Sequence, residues 1–143
     1  MQVALGTLAP AQAAPTKNTN KPTTQFLNHA TMHTDANIKH CASDMILGIH
    51  CDASYTSEIK SRSRAGGHFQ LAKTCPEMFA PPKPDNPLPF QNGPLHTLSA
   101  IMKMVLRSVA EPELAALHFN CQDACKTRLM LEEMGHPQPP TRI

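Results

Sequence analysis

Two acidic residues stand out because each lies where one predicted secondary-structure element meets another segment. Asp52 ends the apolar run "MILGIHCD" (45–52), and Glu113 lies near the start of a predicted helix in "SVAEPELAAL" (108–117). Carboxylates brought together from a strand and a helix repel each other unless a cation lies between them. A hard divalent ion such as Mg²⁺ prefers oxygen ligands and can activate water for phosphoryl displacement. The pair therefore indicates a site for metal-dependent phosphate chemistry.

The neighbouring Glu111 has a structural explanation instead. Ser108, followed three residues later by Glu111, fits a capping box at the start of the helix. Pro112 lies in the first turn, where its missing N–H costs one early helix bond at most. Glu113 has no capping role left. The alternative reading of Glu113 is a solvated glutamate that the helix dipole favours.

The elements that would position these carboxylates follow from the pattern of apolar residues. We predict a strand in "DMILGIHCDASY" (44–55), central because it is apolar on both faces, and a partner strand at 65–72. One or two short strands are predicted in 95–108. A helix then runs from 108 until Gly135 and Pro137 stop it. Its apolar face is predicted to contain Leu114, Leu117, Cys121, Ala124 and Cys125.

Two earlier and intervening segments have different characters. Residues 16–34 predict a helix in their second half, with Phe26, Leu27 and Ala30 at helical spacing and Pro22 limiting its start. Residues 75–94 contain seven of the 14 prolines, so no regular element is expected there. A loop of this length indicates an insertion or a functional lid.

Composition excludes several classes of protein. The 143 residues contain 13 Lys and Arg against 11 Asp and Glu, so the overall charge is small and does not indicate a nucleic-acid or membrane partner. No stretch is apolar enough for a membrane span. The opening 15 residues lack the basic start of a signal peptide, and the five cysteines do not suggest a disulfide framework. We therefore expect an intracellular protein, in the cytoplasm or nucleus, that is not secreted.

Three stretches resemble the ribonuclease H domain at the end of copia-type retrotransposon polyproteins. They are "HCDASYTSEIKSRSRAGGHFQLA" (50–72), "RSVAEPELAAL" (107–117) and "LEEMGHPQPPT" (131–141), and they occur in the order of that family. In addition, "TQFLNHATMHTDANIKHCASD" (24–44) is similar to the link between the polymerase and ribonuclease H parts. The resemblance covers nearly the whole chain.

The resemblance implies a fold and a function. It implies an α/β domain with a ribonuclease H-like mixed sheet and flanking helices, incomplete at its C-terminus. Asp52 and Glu113 match two metal-binding carboxylates of a two-Mg²⁺ site that hydrolyses RNA in RNA–DNA hybrids. Residues 1–40 would form a connecting segment with one helix, and 41–143 a partial ribonuclease H-like domain with a proline-rich loop at 76–94. A reverse-transcriptase polymerase domain is the implied protein partner.

The family's third carboxylate lies in a "T-D-N"-like stretch that would follow Ile143. A fourth, later acidic or histidine position of the family is absent too. With two of the usual ligands missing from these 143 residues, metal affinity and turnover are expected to be impaired. The alternative function is a non-catalytic remnant of the polyprotein that binds nucleic acid or has only a structural role.

Basic and sulfur-containing residues suggest further sites. Lys60, Arg62 and Arg64 alternate, so in an extended strand they would share a side and could face phosphates; the alternative is a solvated hairpin edge. His118, Cys121 and Cys125 are spaced three and four apart on the predicted helix and could bind zinc. The alternative is that these cysteines are small core residues.

Overall fold

The computed structural model describes residues 2–73, 92–141 and 143, which form two compact units. The first unit is Met1–Asn37 and the second is Ile38–Ile143. The proline-rich segment predicted at 76–94 lies outside the described residues up to residue 91. Whether residues 1–40 are a connecting segment stays a prediction.

The first unit consists of helices only. It contains α1 (Gln2–Leu8), a 3-10 helix (Ala9–Ala13) and α2 (Lys17–Met32). The start of α2 is stabilised by the Thr19 hydroxyl, which accepts a hydrogen bond from the backbone N–H of Thr16 at 3.1 Å. A helix was predicted here, but the prediction that Pro22 limits it is wrong, because α2 begins five residues earlier and continues through Pro22.

The second unit is built on a three-stranded antiparallel sheet. Its strands are β1 (Ile46–Glu58), β2 (Arg62–Ala72) and β3 (Pro94–Ile101), in the spatial order β1-β2-β3. The first two strands form the predicted hairpin, with Asp52 opposite Gly66. The predicted central position of the first strand is wrong for the described residues, because β1 lies at an edge of this sheet and β2 is in the centre.

A long helix, α3 (Ala110–Glu133), packs on one face of the sheet. The main core joins Leu47, Ile49 and Phe69 of the sheet to Ala124 and Leu131 of α3. A second cluster, Ala65, Met102 and Ala116, lies nearby and is contacted by Cys51 and Ala53. The general α/β class predicted from the sequence is thus confirmed.

The predicted apolar face of α3 is wrong. The buried residues of the helix are Pro112, Ala116, Asn120, Ala124 and Leu131. Leu114 is 68% exposed and Leu117 is 38% exposed, and Cys125 is also exposed. Only Ala124 of the predicted face lies in the core. Small residues face the sheet because they allow the helix to approach it closely, and the larger leucines are left outside.

The closest approach of α3 to the sheet occurs at Gly67. A Cβ atom added there would lie 1.9 Å from Oδ1 of Asn120, which is fully buried. The Asn120 amide is held by hydrogen bonds from Nδ2 to the carbonyl oxygens of Gly66, at 3.0 Å, and Ala116, at 2.8 Å. The side chain therefore cannot move aside without losing these bonds.

We expect the substitution Gly67→Ala to lower the free energy of unfolding by about 1–3 kcal/mol, the usual cost of forcing extra volume into a packed core. Urea unfolding followed by circular dichroism measures this change. Gly66→Ala is the matched control: its added Cβ would meet the Asp52 carbonyl oxygen at an ordinary 3.5 Å, so a change within about 0.5 kcal/mol is expected. Equal effects of the two substitutions would refute this account of the contact.

Candidate functional site

Asp52 lies in the exposed half of β1. Its neighbours Cys51 and Ala53 pack toward α3, so strand alternation directs the Asp52 side chain to the other face of the sheet. The carboxylate bends along the strand, and Oδ1 accepts a hydrogen bond from the Ala53 backbone N–H at 2.8 Å. Asp52 is exposed, so its second carboxylate oxygen is open to a ligand.

Glu113 lies in the first turn of α3 and is exposed. The predicted capping box is wrong, because the N-cap residue is Val109 and no cap side chain makes a hydrogen bond there. Glu111 nevertheless has a structural role: its Oε2 accepts a hydrogen bond from the Arg107 backbone N–H at 2.9 Å. The side chain reaches back across the start of the helix, one residue further than the capping box requires.

The pKa of the Cys51 thiol depends on the charges around it. Burial raises its pKa above the ordinary value, while the hydrogen bond from Asn120 Nδ2 to Sγ, at 3.3 Å, lowers it. The negative charges of Glu113 and Asp52, in that order, raise the pKa further. Asp52 adjoins Cys51 in the chain, but Glu113 is brought near only by the fold. Both carboxylates are therefore near enough to Cys51 to act on its thiol, although the Asp52 side chain leaves β1 on the sheet face opposite α3.

The same contact is stabilised by a residue that the sequence analysis did not single out. Asn120 is fully buried on α3, and its amide connects the helix to the Gly66 carbonyl and to the Cys51 thiol. A usable signal was present: Asn120 lies four residues from both Ala116 and Ala124. A polar residue within such a stripe of small residues indicates a specific contact.

The three basic residues proposed to contact phosphate differ in their surroundings. Lys60 is exposed in the turn between β1 and β2, and Arg62 is half-buried at the start of β2. Arg64 is 7% exposed; its Nε forms an ion pair with Glu58 at 2.5 Å, and Nη1 donates to the Ser99 hydroxyl at 2.9 Å. Its charge is thus compensated within the protein. Contact between these residues and nucleic acid stays a prediction.

Metal ligation was tested against the described residues. They contain no group of three or more His, Cys, Asp or Glu side chains that could hold a metal ion. Cys121 is half-buried and Cys125 is exposed on α3. Asp52 and Glu113 provide oxygen ligands of the kind Mg²⁺ prefers, but they are two, and Mg²⁺ completes its shell with water or substrate oxygens. Magnesium binding by this pair stays a prediction.

Comparison of the chain with models of protein families, with curated proteins and with solved structures found no match. Across the described residues, no helix is both long and apolar enough to cross a membrane.

The convergence of the carboxylates can be tested through Cys51. Asp52→Asn and Glu113→Gln each remove a negative charge that raises the thiol pKa, so each should increase the thiolate fraction below that pKa and speed alkylation. The increase should be less than about tenfold, since tenfold corresponds to a full pKa unit. Mass spectrometry of the Cys51 peptide after timed iodoacetamide treatment at pH 8 measures the rate.

Glu111→Gln is the matched control for this experiment. Its carboxylate is engaged by the Arg107 N–H and is not among the groups that act on Cys51, so the Cys51 rate should stay unchanged. The exposed Cys41 and Cys125 serve as internal references in every sample. If Glu113→Gln alters the Cys51 rate no more than Glu111→Gln does, the two carboxylates do not converge.

Proposed function

We propose that this chain is part of a ribonuclease H-like domain of a copia-type retrotransposon polyprotein, with Asp52 and Glu113 as its metal-binding carboxylates. The proposed activity is metal-dependent hydrolysis of RNA in RNA–DNA hybrids, impaired in residues 1–143 taken alone. Three antiparallel strands followed by a helix that packs on the sheet are consistent with this proposal. The connection from residues 1–40 to a reverse-transcriptase polymerase domain belongs to the same proposal.

The proposal is supported by the exposure of both carboxylates and by their nearness to the Cys51 thiol, whose pKa both charges raise. Two exposed carboxylates from a strand and a helix start have no common structural role in the described contacts. Glu111, by contrast, is used by the backbone of Arg107. Asp52 uses one carboxylate oxygen for the Ala53 N–H and Glu113 is exposed, so both have oxygens open to a divalent cation.

Asp52 and Glu113 would hold Mg²⁺, which supplies water activation and stabilises the oxygens of an in-line phosphoryl displacement. The chain's own residues position this pair. The Ala53 N–H fixes one oxygen of Asp52 and leaves the other for a ligand. Asn120 holds α3 against β2, seven residues after Glu113, and thereby sets the position of the helix start relative to β1.

A second candidate function is binding of nucleic acid without cleavage. It is favoured by the exposed Lys60 at the hairpin turn. Two oxygen ligands bind Mg²⁺ weakly, whereas a cationic hairpin can contact phosphates without any metal. Such a remnant would retain hybrid but not hydrolyse it.

The two functions can be separated with an RNA–DNA hybrid labelled on the RNA strand. We expect slow cleavage that requires Mg²⁺ or Mn²⁺ and falls at least about a hundredfold in Asp52→Asn and in Glu113→Gln, because a metal-bridging carboxylate is lost. Glu111→Gln should cleave within about twofold of the unchanged chain if it folds equally well by circular dichroism. Gel analysis of the RNA products gives the rates.

Hybrid retention without cleavage would favour the non-catalytic function, and binding should then weaken in Lys60→Ala and at raised salt. Cleavage that survives Asp52→Asn would refute the assigned site. A chain that neither cleaves nor retains hybrid, with or without divalent ions, would overturn both functions.

A further inference from the structure

Two histidines lie side by side on the sheet face opposite α3. His50 of β1 is directly opposite His68 of β2, and their ring centroids are 6.5 Å apart with the planes inclined by 45°. Their neighbours Ile49 and Phe69 belong to the core under α3. Alternation therefore places both imidazoles on the other side of the sheet.

Buried polar atoms without partners surround this pair. Within the described part of the chain, Nε2 of His68 is buried and makes no hydrogen bond. Gln70 is 3% exposed, its Oε1 has no partner, and its Nε2 lies 3.4 Å from Nε2 of His50. If the amide oxygen and nitrogen of Gln70 are exchanged, the oxygen lies beside His50 Nε2, but the amide nitrogen is then left without a partner. Buried polar groups are nearly always satisfied, so these atoms require an explanation.

We propose that His50, His68 and Gln70 form a binding site for a borderline divalent transition metal ion such as Zn²⁺. The two imidazoles supply nitrogen ligands, and the Gln70 amide oxygen supplies a third. Because a zinc–nitrogen bond is about 2 Å long, two imidazoles on one tetrahedral ion have ring centroids about 5 Å apart. The observed separation of 6.5 Å is longer, so the exposed His50 side chain would have to rotate toward His68 to close the site.

The ligand types determine which ion binds. Imidazole nitrogen suits Zn²⁺, Cu²⁺ and Ni²⁺, whereas Mg²⁺ prefers oxygen ligands. The site is therefore chemically distinct from the Asp52 and Glu113 pair and does not depend on the proposed nuclease function. Among the described residues, no group of three or more His, Cys, Asp or Glu side chains is suited to a metal. The proposed site therefore has two imidazole ligands, and its third ligand is the Gln70 amide.

The three side chains differ in burial, and this indicates the side from which an ion would enter. Gln70 is buried, His68 is half-buried and His50 is exposed, so the ion would be reached from the His50 side. Three protein ligands leave a fourth position for water, which is the arrangement of open zinc sites rather than closed structural ones. A bound ion would also satisfy the orphaned nitrogen of His68.

The experiment titrates the full chain with Zn²⁺ at neutral pH under a non-thiol reductant and follows the imidazole C–H resonances by NMR. Histidine signals are used because the cysteines can also bind zinc. The His50 and His68 signals should shift together, and both His50→Ala and His68→Ala should lower the affinity more than about tenfold. His118→Ala, beside Cys121 and Cys125, is the matched control and should leave the affinity unchanged.

A gain-of-affinity variant avoids relying on losses alone. Gln70→Glu replaces the neutral amide oxygen with a carboxylate and should tighten Zn²⁺ binding at least about tenfold. The exposed His50→Ala should fold normally by circular dichroism, so its result counts even if His68→Ala unfolds. The proposal is overturned if Zn²⁺ leaves the His50 and His68 signals unshifted, or if binding survives His50→Ala and is lost in His118→Ala.

Discussion

The fit of Asn120 over the Gly66–Gly67 pair is the contact on which the second unit depends. The Asn120 amide is fully buried, donates to the Gly66 carbonyl, and occupies the space where a side chain at position 67 would lie. Burying an amide is favourable only when its donors are satisfied, so this helix position has one acceptable partner on the sheet. A sliding of α3 by one turn would break the bond to Gly66 and leave Nδ2 only its bond to Ala116 within the helix, while Oδ1 already has no partner.

This contact also determines the geometry of the candidate site. Gly66 is paired with Asp52 across the β1–β2 hairpin, and Asn120 lies two helical turns after Glu113. The chain of contacts from Glu113 through α3 to Gly66 and across to Asp52 is therefore short and made of regular structure. Sites built on helices and strands hold their geometry more closely than sites on loops. The packing of α3 on the sheet thus sets the relative positions of the two backbone segments that carry Asp52 and Glu113.

Much of the framework could be predicted from the sequence, because it depends on local patterns. The apolar run at 45–51 predicted the first strand of the hairpin. Gly135 predicted the end of α3, and its φ of +88 is one that glycine adopts readily. The buried face of α3 could not be predicted in this way. Hydrophobicity favoured Leu114 and Leu117, but the sheet selects small residues and Asn120 because distance of approach outweighs residue hydrophobicity here.

The candidate site residues show the same division. Asp52 and Glu113 were predicted from the apolar run and the helix start that they adjoin and from family resemblance, but the expected strand end at Asp52 is wrong, because β1 continues to Glu58. The pairing of His50 with His68 depends on strand register, and a shift of one residue would place the two rings on opposite faces. The hairpin turn that sets this register includes positive φ angles at Lys60 and Ser61, which neither residue type suggests.

Because β1 lies at an edge of the sheet formed by the described residues, Asp52 can be approached from the side of α3 without crossing another strand. Gln138 bonds to the Leu47 N–H and the Met45 carbonyl, so the N–H of Leu47 points away from β2. Strand alternation turns the Ala53 N–H the same way, since the register is regular between these residues. The carboxylate of Asp52, bonded to that N–H, therefore lies at the open edge. In a central strand a neighbouring strand would occupy this position, and Asp52 could not be approached from the side of α3.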